Sequence, residues 1–332
     1  MSDRDTWNGS RHLLGSAGGH YESWFQRANH PTRPLAFWIR YTIFAPAAAP
    51  ERAEGELWAT WFDGEARRVT ACKQVLPLTA CHFDGGRLDH RLGEATLDGE
   101  GLHGAASGQG HRIRWDLGYQ SPQAPLLLLP RALYTASFPK AKALVGSPGA
   151  IFDGHLEVDG ERHDIEGWVG SQNHNWGSRH TDRYAWGQVA GFDHDPDAFF
   201  EMGTARVKLG PLWTPWMTVM VLRLDGVEHR LNALTRAVRA RASYDYFWWS
   251  FESGDDVLHV AGTIAAPPWA FVGLPYGNPP GGSKTCLNSK LASCNLTVRR
   301  AGQAPRTLST GHRAAFEILT DAADHGVPVL EV

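Results

Sequence analysis

The dipeptide Asp-Gly constrains this chain more than any other feature. It occurs at Asp63-Gly64, Asp84-Gly85, Asp98-Gly99, Asp153-Gly154, Asp159-Gly160 and Asp225-Gly226. Tight hairpins of type I′ need positive φ at both central residues, which Asp and Gly reach at low cost, and their twist matches that of the flanking strands. One such dipeptide is uninformative. Six, mostly flanked by short apolar or alternating runs such as Glu56–Phe62 and Met220–Leu224, predict an all-β, up-and-down antiparallel fold with few short helices. The 36 Gly and 20 Pro in 332 residues agree, because short strands need many turns.

Between the turns, Ala36–Phe44 is the strongest strand. Phe37, Ile39, Tyr41 and Ile43 face one way, and Trp38, Arg40, Thr42 and Phe44 the other. Aromatics on both faces with one Arg fit a barrel wall with a packed outside and a partly polar lumen, and a sandwich reads the same. His111–Leu117 alternates as a half-exposed strand. Cys286–Arg300 reads as a strand with slips, His312–Leu319 as a strand or short helix, and Ala233–Arg241 as a short helix. Gly108-Gln109-Gly110 and Gly281-Gly282 read as turns. Residues 1–17 read as a flexible arm. The Pro-rich stretch Ser121–Gly149 reads as a linker, lid or binding loop, and Pro267–Pro280 as a second connection.

Composition narrows the function. A net charge of −3 without a basic block gives no electrostatic case for nucleic acid or an anionic membrane surface. No apolar run approaches a membrane span, so no transmembrane segment is expected, and the N-terminal residues lack a secretory pattern. Cys72, Cys81, Cys286 and Cys294 are too few and scattered for a disulfide scaffold and form no CxxC pair, so a cytoplasmic protein with reduced thiols is expected. Fourteen tryptophans exceed what a core of this size needs. They fit an aromatic-lined cavity as well as ordinary sheet core.

The densest mixture of aromatic and titratable side chains is Gly167–Glu201, with Trp168, Trp176, Trp186, His174, His180, His194 and Glu201. In a strand His174 and Trp176 share one face, and Asn173 and Asn175 the other. His174 is a candidate general acid or base; the alternative is a β-corner in which Asn and His cap backbone groups. Glu22, between Tyr21 and Trp24-Phe25, and Glu201, after Phe199-Phe200, are candidates for carboxyls raised by burial; pairing with an arginine is the alternative for Glu22. The spacing of His174, His180 and Asp193-His194-Asp195 matches no compact metal motif, so no metal is assigned. Nucleophile-elbow, phosphate-loop and dinucleotide motifs are absent as well, and no cofactor is expected.

Tyr21-Glu22-x-Trp24-Phe25, His174-Asn175-Trp176-Gly177 and Tyr184-Ala185-Trp186-Gly187 resemble the AttH-like, carotenoid 1,2-hydratase and tocopherol-cyclase-like superfamily over roughly residues 18–330. The resemblance implies two tandem lipocalin-like β-barrels, assigned to residues 18–165 and 166–332. It also implies, in several members, acid-catalysed hydration or cyclisation of isoprenoids. The expected enzyme is a cofactor-independent hydratase or cyclase with His174, Glu201 or Glu22 as acid or base. Trp24, Trp38, Asn175, Trp176, Tyr184 and Trp186 would hold a hydrophobic small molecule. The competing readings are a lipocalin-like carrier with the same cavity, and a structural β protein with a filled one.

Overall fold

The computed structural model describes residues 3–12 and 18–331. Among them the chain is almost entirely antiparallel strand, in one sheet of twelve strands, one of ten, and a small two-stranded ribbon. No helix is long and apolar enough to cross a membrane. The first sheet runs Arg68–Pro77, Glu54–Asp63, Leu35–Ala45, His20–Asn29, Glu161–Gly177, Ala141–Val158, His111–Gln120, and then the short strands from Gly101–Gly108 to Cys81–Phe83. The second runs Val227–Leu231, Met217–Leu224, Asp195–Arg206, Arg183–Phe192, Arg306–Thr320, Ser283–Arg300, Leu258–Ala265, Trp248–Gly254 and Arg241–Asp245. Both follow one plan: an opening meander whose first strand bonds to the last strand of its half.

Sheet curvature brings the Arg68–Pro77 edge back toward Gly101–Gly108. There the Cys72 thiol reaches Ala106 O at 3.3 Å, and the amides of Lys73 and Ser107 donate to Gln109 and Gln74 side chains. Side-chain bonds thus close the first half into a near-barrel. Its interior is filled by Trp24, Phe37, Tyr41, Trp61, Trp115 and Phe152, all buried. The Tyr41 hydroxyl donates to Thr96 O at 2.7 Å and accepts from Trp115 Nε1 at 2.9 Å, so the aromatic polar atoms are satisfied.

The alternation within Leu35–Ala45 is as predicted, but its polar face is not a lumen. Phe37, Ile39, Tyr41 and Ile43 fill the first half's core, whereas Trp38 joins the core that continues into the second half. Both faces are buried because the second sheet packs against the outside of the first. Where residues 166–332 were expected to form a unit, the strand Glu161–Gly177 stays in the first sheet, and the change of sheet falls at residues 178–182. Cutting at 165/166 would divide a strand bonded on both sides.

The expected arm over residues 1–17 is packed over part of its length. Asp3–Asn8 is a helix, Asn8 is fully buried, and its side chain exchanges hydrogen bonds with Gln172 at 3.0 and 3.1 Å. Residues 13–17 lie outside the described residues. The Ser121–Gly149 stretch divides: Ala141 onward is strand, and Leu126–Leu127 pairs with it. All four cysteines are free thiols.

Asp159-Gly160 and Asp225-Gly226 make the predicted two-residue turns, with φ of 52° and 90°, and 55° and 75°. Asp153-Gly154 does not. It lies inside Ala141–Val158 at a bulge, with Gly154 at φ 133°. A Cβ there would lie 2.1 Å from Asp116 O, so glycine serves close strand approach and not a turn. Gly154→Ala should therefore lower stability by roughly 2–4 kcal/mol, from backbone strain plus displacement of the neighbouring strand. Gly167→Ala, at positive φ with open space around it, should cost only about 1 kcal/mol. Urea denaturation of the two variants checks the order.

Candidate functional site

Two polar centres flank the seam between the sheets, one on each face of the strand Glu161–Gly177. On the first-half face, Trp24 pairs with His174 and Glu22 with Trp176, which places Glu22 diagonal to His174. His174 Nε2 lies 2.8 Å from Glu22 Oε1, and Nδ1 lies 2.8 Å from Trp7 O. Trp7 O can only accept, so Nδ1 donates to it, and Nε2 faces the Glu22 carboxyl. Glu22 also accepts from the Arg11 amide at 2.8 and 2.9 Å, from Ser10 Oγ at 3.2 Å and from His20 at 3.0 Å. Burial pushes its carboxyl up, but hydrogen bonds from His174 and His20 outweigh burial and hold it down at about 2.

On the other face lies a cavity of about 260 Å³, toward the small end of ligand sites. Tyr21, Phe25, Trp38, Arg40, Asn173 and Asn175 line it from the first sheet, and Tyr184, Trp186, Glu201, Tyr276 and Glu317 from the second. Leu128, Leu133 and Phe138 of the Pro-rich connection and Leu234 of the short helix Leu234–Arg239 complete the wall. Its surface is chiefly apolar, interrupted by Arg40, Lys142, His180, Glu201 and Glu317.

Glu201 stands opposite Gln188 in the sheet, and Trp186 stands two residues along the same face. Trp186 Nε1 donates to Glu201 Oε1 and Gln188 Nε2 to Oε2, each at 2.7 Å. Gln188 Oε1 in turn accepts from Arg27 Nε at 2.7 Å and Ser171 Oγ at 2.6 Å, while Nε2 also donates to Asn173 Oδ1 at 2.8 Å. These partners fix the amide orientation, because two donors face one end and two acceptors the other. Glu201 is fully enclosed. Burial raises its carboxyl to about 8, and the Trp186 and Gln188 hydrogen bonds and the Arg27 charge only partly oppose it. It is therefore a neutral acid at pH 7, stored beside an apolar cavity.

Glu317 is paired differently. Lys290 Nζ lies 2.8 Å from its Oε1, and Asn288 Nδ2 donates to the same oxygen at 3.0 Å. Lys290 sits over the rings of Trp38 and Trp186 at 5.7 and 5.6 Å. His180 donates to Gly277 O at 3.1 Å and stacks on Tyr21 at 3.9 Å. Burial and then the Arg40 charge lower it to about 3, so it is neutral.

Of the three residues expected to carry proton chemistry, the structure joins Glu22 to His174 by a hydrogen bond, and His174 and Glu201, but not Glu22, border the cavity. The His174 nitrogens are consumed by Glu22 and Trp7, and its ring stacks on Trp24 at 4.8 Å. Trp38, Asn175, Tyr184 and Trp186 line the cavity. Trp24 belongs to the first half's core, and Trp176 packs with Leu127, Tyr134 and Leu144. Gln188, Tyr276, Lys290 and Glu317 escaped the sequence reading, in which Arg27 and Arg40 entered only as possible partners of Glu22 and Arg40 as the polar interruption of an aromatic strand. Among the described residues no cluster of His, Cys, Asp and Glu has the geometry of a metal site.

No protein-family profile matches the chain. It is 24% identical over 299 residues to an uncharacterized protein of Mycobacterium tuberculosis, Rv0493c in strain H37Rv and MT0513 in strain CDC 1551, covering 89% of this chain and 86% of that protein. Among solved structures, a putative AttH of Nitrosomonas europaea superposes with TM-score 0.56 at 12% identity, over 95% of this chain and all of that one. Kievitone hydratase of Nectria haematococca gives TM-score 0.58 at 10% identity, over 91% and 89%. CghA gives 0.52 at 12%, over 98% and 96%. The chain thus shares its fold with these three structures.

The two carboxyls predict opposite pH effects on stability. Glu201 binds its proton more tightly folded than unfolded, so its contribution is complete below the ordinary glutamate range and is lost as pH rises through about 8. Glu201→Gln should gain stability relative to wild type between pH 5 and 9, by on the order of a few kcal/mol, read by thermal melts across pH. Glu22 contributes above the ordinary range and loses that contribution as pH falls toward about 2. Glu22→Gln should destabilise at pH 7 by about 3–5 kcal/mol, because it breaks the buried carboxylate contact with His174 and weakens those with Ser10, the Arg11 amide and His20.

Proposed function

We propose that the protein is an acid-base hydratase or cyclase that protonates an unsaturated, apolar, isoprenoid-like small molecule, with Glu201 as the proton donor. One observation carries this reading: a fully buried carboxyl, neutral at pH 7, lines an aromatic cavity and is held by two hydrogen-bond donors. Transfer of the Glu201 proton to one alkene carbon leaves a cation on the other. The faces of Trp38 and Trp186 can stabilise that cation, and water or an internal hydroxyl closes the reaction by adding to it. The proton released on addition returns to Glu201. Trp186 and Gln188 hold the carboxylate in the interval, so the acid needs no reorganisation to be regenerated. The hydratase named among the structural neighbours supports this class of reaction.

Glu22 and His174 act as structure in this scheme. They anchor the N-terminal helix to the strand whose opposite face bears Asn173, and Asn173 accepts from Gln188. The four free cysteines support a reducing, cytoplasmic setting.

Native mass spectrometry of the purified protein should find a co-purified apolar molecule, which then serves as the test compound. Glu201→Gln should lower turnover at least about 10²-fold while leaving binding within a few-fold. The rate of the wild type should fall as pH rises past about 8, where the acid is lost. Recovery of the bound molecule unchanged after long incubation, or full turnover by Glu201→Gln, would overturn the proposal; the first outcome marks a carrier.

A further inference from the structure

Arg40 is 4% exposed, lines the cavity, and has no hydrogen-bond or ion-pair partner among the described residues. Its guanidinium carbon lies 4.3 Å from the centre of the Tyr276 ring. A buried guanidinium always carries its charge and is costly to leave unpaired. The carboxylates in range are already engaged. Glu56 pairs with Lys73 at 2.7 Å and accepts from Trp58 Nε1 at 3.0 Å. Glu317 pairs with Lys290 at 2.8 Å. Glu201 is neutral and takes its hydrogen bonds from Trp186 and Gln188, and His180, which faces Arg40 across Tyr276, is neutral as well. Arg40 is therefore a buried guanidinium on the cavity wall with no direct partner, its charge favoured only from a distance by Tyr276, Glu56, Glu317 and Tyr184.

We propose that Arg40 is the anion-recognition residue of this cavity, and that its ligand is an apolar molecule bearing a carboxylate or comparable oxyanion. The inference rests on the cavity being a small-molecule site and adds the substrate class to that reading. A guanidinium offers a planar pair of donors suited to two oxygens of one acid group. The ligand's charge would also remove an electrostatic conflict in the proposed chemistry. A carbocation formed in the same cavity is destabilised by an unpaired Arg40, and an oxyanion on the substrate neutralises that field before the proton moves.

The test uses two probes of one size and shape, anionic 2-naphthoate and neutral 2-naphthamide, with equilibrium dialysis of the full chain at pH 7. Wild type should bind naphthoate at least about tenfold more tightly than naphthamide, the range expected for a charge pair in a dry site. Arg40→Gln should abolish that preference while changing naphthamide affinity less than about twofold, and Arg40→Lys should retain part of it. Glu201→Gln should keep the preference, separating anion recognition from proton donation. Equal binding of the two probes by wild type overturns the assignment whether or not the Arg40 variants fold. A preference that survives in a folded Arg40→Gln overturns it too. If wild type binds neither probe, the cavity is not a site for apolar molecules, and the functional reading falls with this one.

Discussion

The structure depends on the hydrogen bonding of one side chain, Gln188. Its carbonyl accepts from Arg27 and Ser171 of the first sheet, and its amide donates to Asn173 of the first sheet and Glu201 of the second. No capacity is left over, and no partner can be exchanged without leaving a buried polar group unsatisfied. Arg27 extends the junction: it donates to Asn29 and to the carbonyls of Gln188 and Arg313, and Asn29 reaches Lys290 O at 2.7 Å. Apolar packing alone would leave the two sheets free to slide. A fully satisfied polar network fixes their register and therefore the shape of the cavity between them.

The same junction assigns different states to two glutamates that the sequence presents alike. Each follows or precedes aromatics, and each is buried. Glu22 meets two histidines and a backbone amide, so burial is outweighed and the carboxylate persists. Glu201 meets neutral donors, with the nearest cation one residue removed behind Gln188, and burial dominates. Environment, not residue type, separates an ionic anchor from a stored proton.

Both halves repeat one topology, in which the first strand bonds to the last, yet no sequence repeat accompanies it. The equivalent seam strands carry Glu22, Trp24 and His174 in one half, and Trp186, Gln188 and Glu317 in the other. The first half directs its set inward, where aromatic side chains fill the interior. The second directs its set outward, across the seam. A filled barrel interior leaves the sheet-to-sheet contact as the place for the cavity.

Much of this was legible from the residues. Alternation in Leu35–Ala45, the turns at Asp159-Gly160 and Asp225-Gly226, the slips in Ser283–Arg300 and the short helix near Leu234 follow from local periodicity and backbone preference. So does the placement of His174 and Asn173 on opposite faces of one strand. Local rules failed where a distant strand decided the outcome. Asp153-Gly154 looks like a turn but answers to Asp116 on a neighbouring strand, and the N-terminal residues look free but are held through Asn8 and Gln172. The candidate site shows the same division. Sequence alone marked Glu201, Trp38, Tyr184 and Trp186, because a charge among aromatics is locally conspicuous. Which face meets the cavity, which glutamate keeps its proton, and which arginine lacks a partner were decided only when the two sheets packed. Burial and pairing belong to side chains brought together from different strands and sheets, some of them more than a hundred residues apart, and no local pattern encodes them.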